Sequence, residues 1–160
     1  MIDFATTDLS DENEGKVQIA EPIFMPFGAA ERFAGQMATV KVHEDNVLVR
    51  ARLSTPGDGR ILVVDGGGSI RCALVGDILA ALGIEYGWTG IVLNGCVRDS
   101  AVIDGMEIGV RALTAVPNRS KKNGWGEEGI PVHFAGVTFR PGEWLYGDAD
   151  GILLSADPIH

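Results

Sequence analysis

The chain has 160 residues, 46% of them hydrophobic and 22% charged, which fits one globular domain over residues 1–160 with a sizeable core. A net charge of −9 argues against direct nucleic-acid binding, which needs a basic face, but permits a small anionic substrate in a site of locally opposite field, or a basic protein partner. No apolar run approaches the ~18 residues of a membrane span, and the acidic start MIDFATTDLSDENEG lacks the apolar core of a signal peptide, so no membrane association and a cytoplasmic location are expected.

In chain order, Thr6 or Thr7 followed by acids predicts a helix ending near Gly15. PIFMPFG, bracketed by prolines, reads as a short edge strand. QMATVKVHE sets Met37, Thr39 and Lys41 against Ala38, Val40 and Val42, a strand period. DNVLVRARLS fits either a short amphipathic helix capped by Asp45 or a strand with Arg50 and Arg52 outward, and TPGDGR is a turn. ILVVD is an apolar, β-branched-rich run of the kind buried on both faces, and it leads into Gly66–Gly68. ALVGDILAALGIEYG then carries apolar residues at helical spacing, and GIVLNG is a second buried strand. Residues 61–95 therefore read as one βαβ unit with a parallel strand pair. MEIGVRALTAV is a further strand and PNRSKKNGWGEEG a long polar loop. IPVHFAGVTFRPGEWLYGDADGILLS reads as three strands joined by Gly/Pro and Asp/Gly turns. These helices are too few to cover both faces of a large parallel sheet. The expected fold is α/β, a layered β/β/α architecture of the swivelling-domain type around a central βαβ unit. Cys72 and Cys96 stand singly in apolar contexts without metal-ligand spacing and are expected as buried thiols.

Two constellations carry chemistry. Gly76 and Asp77 stand where a loop becomes a helix. A helix start has unpaired N–H groups and partial positive charge, which suits a bound carboxylate or phosphate, or simply a cap by Asp77. Arg98-Asp99 lies just past GIVLNG. Ligands of parallel βαβ units bind beyond the carboxyl ends of the strands, so Gly66–Gly68, the helix start and Arg98 are expected at one edge. There Arg98 can hold a carboxylate and Asp99 a divalent cation, with structural ion pairs as the plainer alternative. DGGGS lacks the GxGxxG spacing, which disfavours a dinucleotide or methyl-donor site.

The segment VGDILAALGIEYGWTGIVLNGCVRD resembles the RraA-like family, which includes the class II 4-hydroxy-4-methyl-2-oxoglutarate aldolases. The resemblance extends upstream through VVDGGGSIRCALVGD and TTDLSD, and downstream through IGVRALTAVPNRSKKNGWGEEG to GILLS. It implies that the backbone amides of Gly76, Asp77, Ile78 and Leu79 hold the carboxylate of a 2-oxo acid. It implies that Arg98 contacts substrate and that Asp99 binds a divalent metal, Mg²⁺ or Mn²⁺, so that catalysis rests on Arg98 and Asp99. It also implies a homotrimer, aldol cleavage to pyruvate, and oxaloacetate decarboxylation through the same enolate. The chain departs from the aldolase pattern at Val102, where the motif has an acid, and at Asn94, where many of the aldolases carry one; Asp104 is acidic two positions late. The resemblance also carries a non-enzymatic alternative. RraA proteins are named as inhibitors of a ribonuclease E-type endonuclease, and an acidic oligomer suits an arginine-rich partner. Some relatives have been labelled menaquinone methyltransferases, for which this sequence shows no methyl-donor fingerprint.

His43, His133 and His160 are scattered and are expected at structural or surface positions. Lys16, Lys41, Lys121 and Lys122 lie outside the buried contexts that activate a Schiff-base lysine. Trp88, Trp125 and Trp144 are expected as core or subunit-interface anchors. Glu127 or Glu128 in the long loop is expected in solvent or, alternatively, at a neighbouring subunit's site.

Overall fold

The computed structural model describes residues 3–160. The first half runs α1 (Thr6–Glu12), β1 (Val17–Ile19), β2 (Met25–Phe27), β3 (Phe33–Lys41), α2 (Val47–Leu53), β4 (Ile61–Asp65), β5 (Ala73–Val75) and α3 (Asp77–Glu85). It continues through β6 (Gly90–Asn94), β7 (Cys96–Val97), α4 (Ser100–Ile103), β8 (Gly109–Ala112), β9 (Thr114–Ala115), β10 (Glu127–Glu128), β11 (Val132–Phe134), β12 (Val137–Phe139), β13 (Trp144–Asp148) and β14 (Gly151–Ser155). No helix among the described residues is long and apolar enough to cross a membrane.

The centre is a parallel run of β3, β4, β6 and β8. β13, β14 and β1 extend it antiparallel beyond β3, and β2 closes it antiparallel beyond β8. β2 carries Pro26 and lies at the outer edge, as a proline in a strand requires. Alternation along the strands sorts side chains into two cores. Ala38, Val40, Leu62, Val64, Ile91 and Leu93 pack against Val49 and Leu53 of α2, Leu79 of α3 and Ile103 of α4. Met37, Ile61, Val63 and Val92 face the other way, where the β11–β12 hairpin brings Phe134 and Phe139. Both faces are covered, which is why ILVV and GIVL are apolar without interruption up to Asp65 and Asn94 at the strand ends. The result is the expected layered β/β/α arrangement.

A second, small parallel sheet of β5, β7 and β9 stands beyond the first. Each of its strands follows a main-sheet strand in chain order: β4 leads to β5, β6 to β7, and β8 to β9. Ala73–Val75 is thus a strand and not the first turn of a helix, which begins only at Asp77. DNVLVRARLS resolves as a helix, with Asn46 at its N-cap position and Asp45 one residue earlier. The tail holds four strands rather than three. The extra break falls at Ala135-Gly136, whose φ values of 53° and 71° make the two-residue positive-φ turn of a hairpin. β1, too short to show a period, has no counterpart in the sequence reading. β10 lies within the long polar loop and pairs with Val40 and Lys41 of β3.

Candidate active site

Two adjacent connections build the site. β5 ends at Val75 and passes through Gly76 into α3, while its neighbour β7 ends at Val97 and passes through Arg98-Asp99 into α4. The Arg98 N–H donates to Val75 O at 3.0 Å, which ties the two turns together. Asp99 takes the left-handed conformation, φ 55° and ψ 37°, at the N-cap position of α4. Aspartate tolerates this region better than most side chains. The turn brings its carboxylate back to the start of α3, where Oδ2 accepts the Asp77 N–H at 3.3 Å. Asp77 Oδ1 in turn accepts the Ile78 N–H at 2.9 Å. Gly76 is required by this approach: a Cβ there would lie 2.8 Å from Asp99 Oδ2 and 3.4 Å from Arg98 Cγ.

Gly76, Asp77, Ile78, Leu79, Arg98 and Asp99 all line one cleft of about 210 Å³. Its lining also includes residues that sequence reasoning did not place there: Arg50 of α2, and Arg119 and Lys122 of the long loop. Four cations therefore share the cleft with Asp77 and Asp99 in a protein of net charge −9. The loop is held close by backbone and side-chain bonds. Ala73 N–H donates to Asn118 O at 2.7 Å, and Lys122 Nζ donates to Asn46 Oδ1 at 3.0 Å. Buried Asp45 anchors the loop's far end, since its Oδ2 accepts the N–H groups of Asn123 (2.8 Å), Gly124 (2.9 Å) and Trp125 (3.4 Å). Its Oδ1 accepts Val47 N–H at 3.0 Å. Burial pushes the Asp45 carboxyl up, but these four donors outweigh it and hold the group below its ordinary range.

Gly66–Gly68 do not join the cleft. None of the three lines it, and the N–H groups of Gly66 and Gly68 both donate to Asn94 O at 3.1 Å. Asn94 itself donates to Asp65 Oδ1 at 3.0 Å. Asp104 is also spent elsewhere, accepting the Gly28 N–H at 3.0 Å. Val102 is exposed. Glu127 lines a different cavity, of about 440 Å³. No histidine lines the cleft. Lys122 of the polar loop does line the cleft, but it is exposed and bonded to Asn46, a point charge and not a desolvated amine. Trp88 is a core residue whose Nε1 donates to Thr55 O at 2.9 Å, whereas Trp125 is exposed.

Among the described residues no three His, Cys, Asp or Glu side chains cluster as a metal cage. Asp99 offers one accessible, hard oxygen donor in the cleft. That donor set fits Mg²⁺ or Mn²⁺ held largely by water and substrate oxygens; it does not fit a closed Zn²⁺ site.

Residues 6–154 match the family model described as RraA-like, Aldolase/RraA. A protein of Laribacter hongkongensis (strain HLHK9) is 56% identical over 158 residues, covering 99% of each chain, and bears the provisional name 4-hydroxy-4-methyl-2-oxoglutarate aldolase. One from Paraburkholderia phytofirmans bears the same provisional name and is 51% identical over 162 residues, covering 98% of this chain and 99% of its own. Two solved structures superpose closely. One from Thermus thermophilis, described as the RNA-processing inhibitor RraA, has a TM-score of 0.95 at 43% identity, covering 99% of this chain and 96% of that one. One from Geobacillus kaustophilus HTA426, described as an S-adenosylmethionine:2-dimethylmenaquinone methyltransferase, has a TM-score of 0.95 at 44% identity, covering 98% and 97%.

Proposed function

The chain belongs to the RraA-like family, and from that premise we propose that it is a metal-dependent class II aldolase. It cleaves 4-hydroxy-4-methyl-2-oxoglutarate to pyruvate, decarboxylates oxaloacetate as a side activity, and works in the cytoplasm as a homotrimer. One observation carries this reading: Arg98, Asp99 and the start of α3 share a single cationic cleft. The provisional aldolase names of the relatives support it.

The substrate is a dianion. Its 2-oxo carboxylate sits at the start of α3, where the Leu79 N–H has no protein acceptor among the described residues. The Ile78 N–H becomes a second donor when the Asp77 carboxylate rotates away from it. Arg119 and Lys122, which also line the cleft, take the distal carboxylate. Arg98 adds fixed positive charge beside the oxygen that becomes the enolate. A divalent cation, held by Asp99, supplies further stabilisation of that negative charge. With no histidine in the cleft, water carries the proton. Oxaloacetate decarboxylation uses the same enolate with simpler proton traffic, so it tolerates the loss of an acid at Val102 better than aldol cleavage does.

The test couples pyruvate release to lactate dehydrogenase, with each substrate offered separately in Mg²⁺ and in EDTA. Turnover in Mg²⁺ that is lost in EDTA and in Asp99→Ala is the expected result. A folded protein that turns over neither substrate sinks the proposal. The similarity to an RNA-processing inhibitor, together with the −9 charge, favours a second reading, a binding protein for a ribonuclease E-type endonuclease. Arg98→Ala separates the two: it abolishes turnover but leaves surface inhibition intact. The methyltransferase description finds no support in the glycine run, because the Gly66 and Gly68 amides are already bonded to Asn94.

A further inference from the structure

Arg111 lies mid-β8 on the hairpin side of the sheet and is 5% exposed. Its Nη1 donates to Val110 O at 3.1 Å, and Nη2 donates to Glu31 O at 3.0 Å and Asp148 O at 3.3 Å. The guanidinium carbon stands 5.0 Å from the Phe33 ring centroid. Every one of these acceptors is neutral. Among the described residues Arg111 makes no ion pair. The Asp148 carboxylate is occupied by the Thr6 N–H and hydroxyl, both at 2.7 Å, and by the Asp150 N–H at 2.9 Å. The Nε–H and the second Nη1 hydrogen of Arg111 have no protein acceptor among the described residues. Burial pushes the guanidinium pKa down, and Asp148 and Glu31 act against this only at a distance. A buried cation without an anion is an expensive arrangement.

A cavity of about 180 Å³ opens onto this cation; Ala20, Pro22, Phe24 and Ile152 wall it, and so do Asp148 and the exposed Glu21 and Asp150. It shares no lining residue with the cleft at Arg98. It is smaller than the roughly 300–1,000 Å³ of sites for drug-sized ligands. We infer that this cavity is a second ligand site, which takes a small monocarboxylate with a short apolar tail. The carboxylate meets Nε and Nη1 of Arg111, and the tail lies against Ala20, Phe24 and Ile152. The inference is independent of the aldolase reading.

Butyrate is the probe, titrated into the full-length protein by calorimetry, with butyramide as its uncharged counterpart. Saturable binding of one butyrate per chain is expected, with butyramide at least tenfold weaker. Arg111→Met and Ala20→Leu each weaken butyrate at least tenfold, the first by removing the charge and the second by filling the cavity. Arg98→Ala leaves the affinity unchanged. Absence of saturable binding, binding unchanged in Ala20→Leu, or binding lost in Arg98→Ala overturns the inference. Should Arg111→Met fail to fold, Ala20→Leu decides, with its fold checked by thermal unfolding.

Discussion

Replacing Gly76 with alanine separates the site's geometry from the protein's stability. The backbone at Gly76 is extended, φ −117° and ψ −168°, which any residue adopts, so no backbone strain follows. The new Cβ would stand 2.8 Å from Asp99 Oδ2, and restoring ordinary contact moves the carboxylate by roughly 0.6 Å. Asp99 is exposed and its carboxylate is the free end of a side chain, so the movement costs little folding energy, within about 0.5 kcal/mol. The bond from Asp77 N–H, already 3.3 Å long, does not survive it. Misplacing a reacting group by about 1 Å costs on the order of a hundredfold in rate. Gly76→Ala should therefore lower kcat/KM by about ten- to a hundredfold, or about 1.4–2.7 kcal/mol of barrier. The lactate dehydrogenase-coupled assay reads the rate, and a thermal melt reads the fold. An unchanged melt with full activity would refute the claim that the Asp99 position matters to the chemistry.

Arg119→Ala and Lys122→Ala should each raise KM for 4-hydroxy-4-methyl-2-oxoglutarate about tenfold while leaving kcat nearly intact, since the proposed pose gives these exposed cleft cations the non-reacting carboxylate; a drop in kcat at constant KM contradicts that role. Asp45→Ala leaves four backbone N–H groups without their acceptor and should cost about 3 kcal/mol in urea unfolding, with KM rising because the loop bearing Lys122 loosens; an unchanged midpoint and KM count against it. Burial raises the Asp148 carboxyl, but the Thr6 and Asp150 donors outweigh it, so Asp148, like Asp45, titrates below its ordinary range when folded. Their contribution to stability is present above the unfolded-state value and lost as pH falls through the folded-state one, so the urea midpoint should drop below about pH 4. Asp148→Asn should flatten that drop, and an unaltered slope rules Asp148 out as a cause.

The parallel centre was legible because ILVV and GIVL are short apolar runs bounded by turn residues, the pattern of strands covered on both faces. Arg98 and Asp99 stood out as charges at the end of such a run. β5 was hidden because Ala73–Val75 joins the apolar start of α3 with only Gly76 between them; composition does not mark where a buried strand ends and a buried helix begins. That hidden strand also misplaced the glycine turn, which closes the main sheet while the cleft opens one sheet further on. Arg119 and Lys122 looked like solvated loop charges. Their position depends on Asp45 and Ala73, partners distant in sequence whose hydrogen bonds leave no periodic trace.

β3 has a neighbour on each side, β4 and β13, and the two arrive at very different times in a chain made from its N-terminus. Residues 33–115 supply the four parallel strands, their helices and the small sheet, so the cleft's Arg98 side can assemble early from contacts close in sequence. Until residues 127–155 follow, the outer edge of β3 lacks both β10 and β13, and Met37, Ile61 and Val63 lack most of their cover. A nascent chain thus displays an open strand edge beside a bare apolar face, the template on which other chains aggregate. The C-terminal hairpins contribute nothing to the cleft's lining. Their role is to close that edge, so yield during synthesis is more exposed to damage in β11–β14 than activity per folded molecule is.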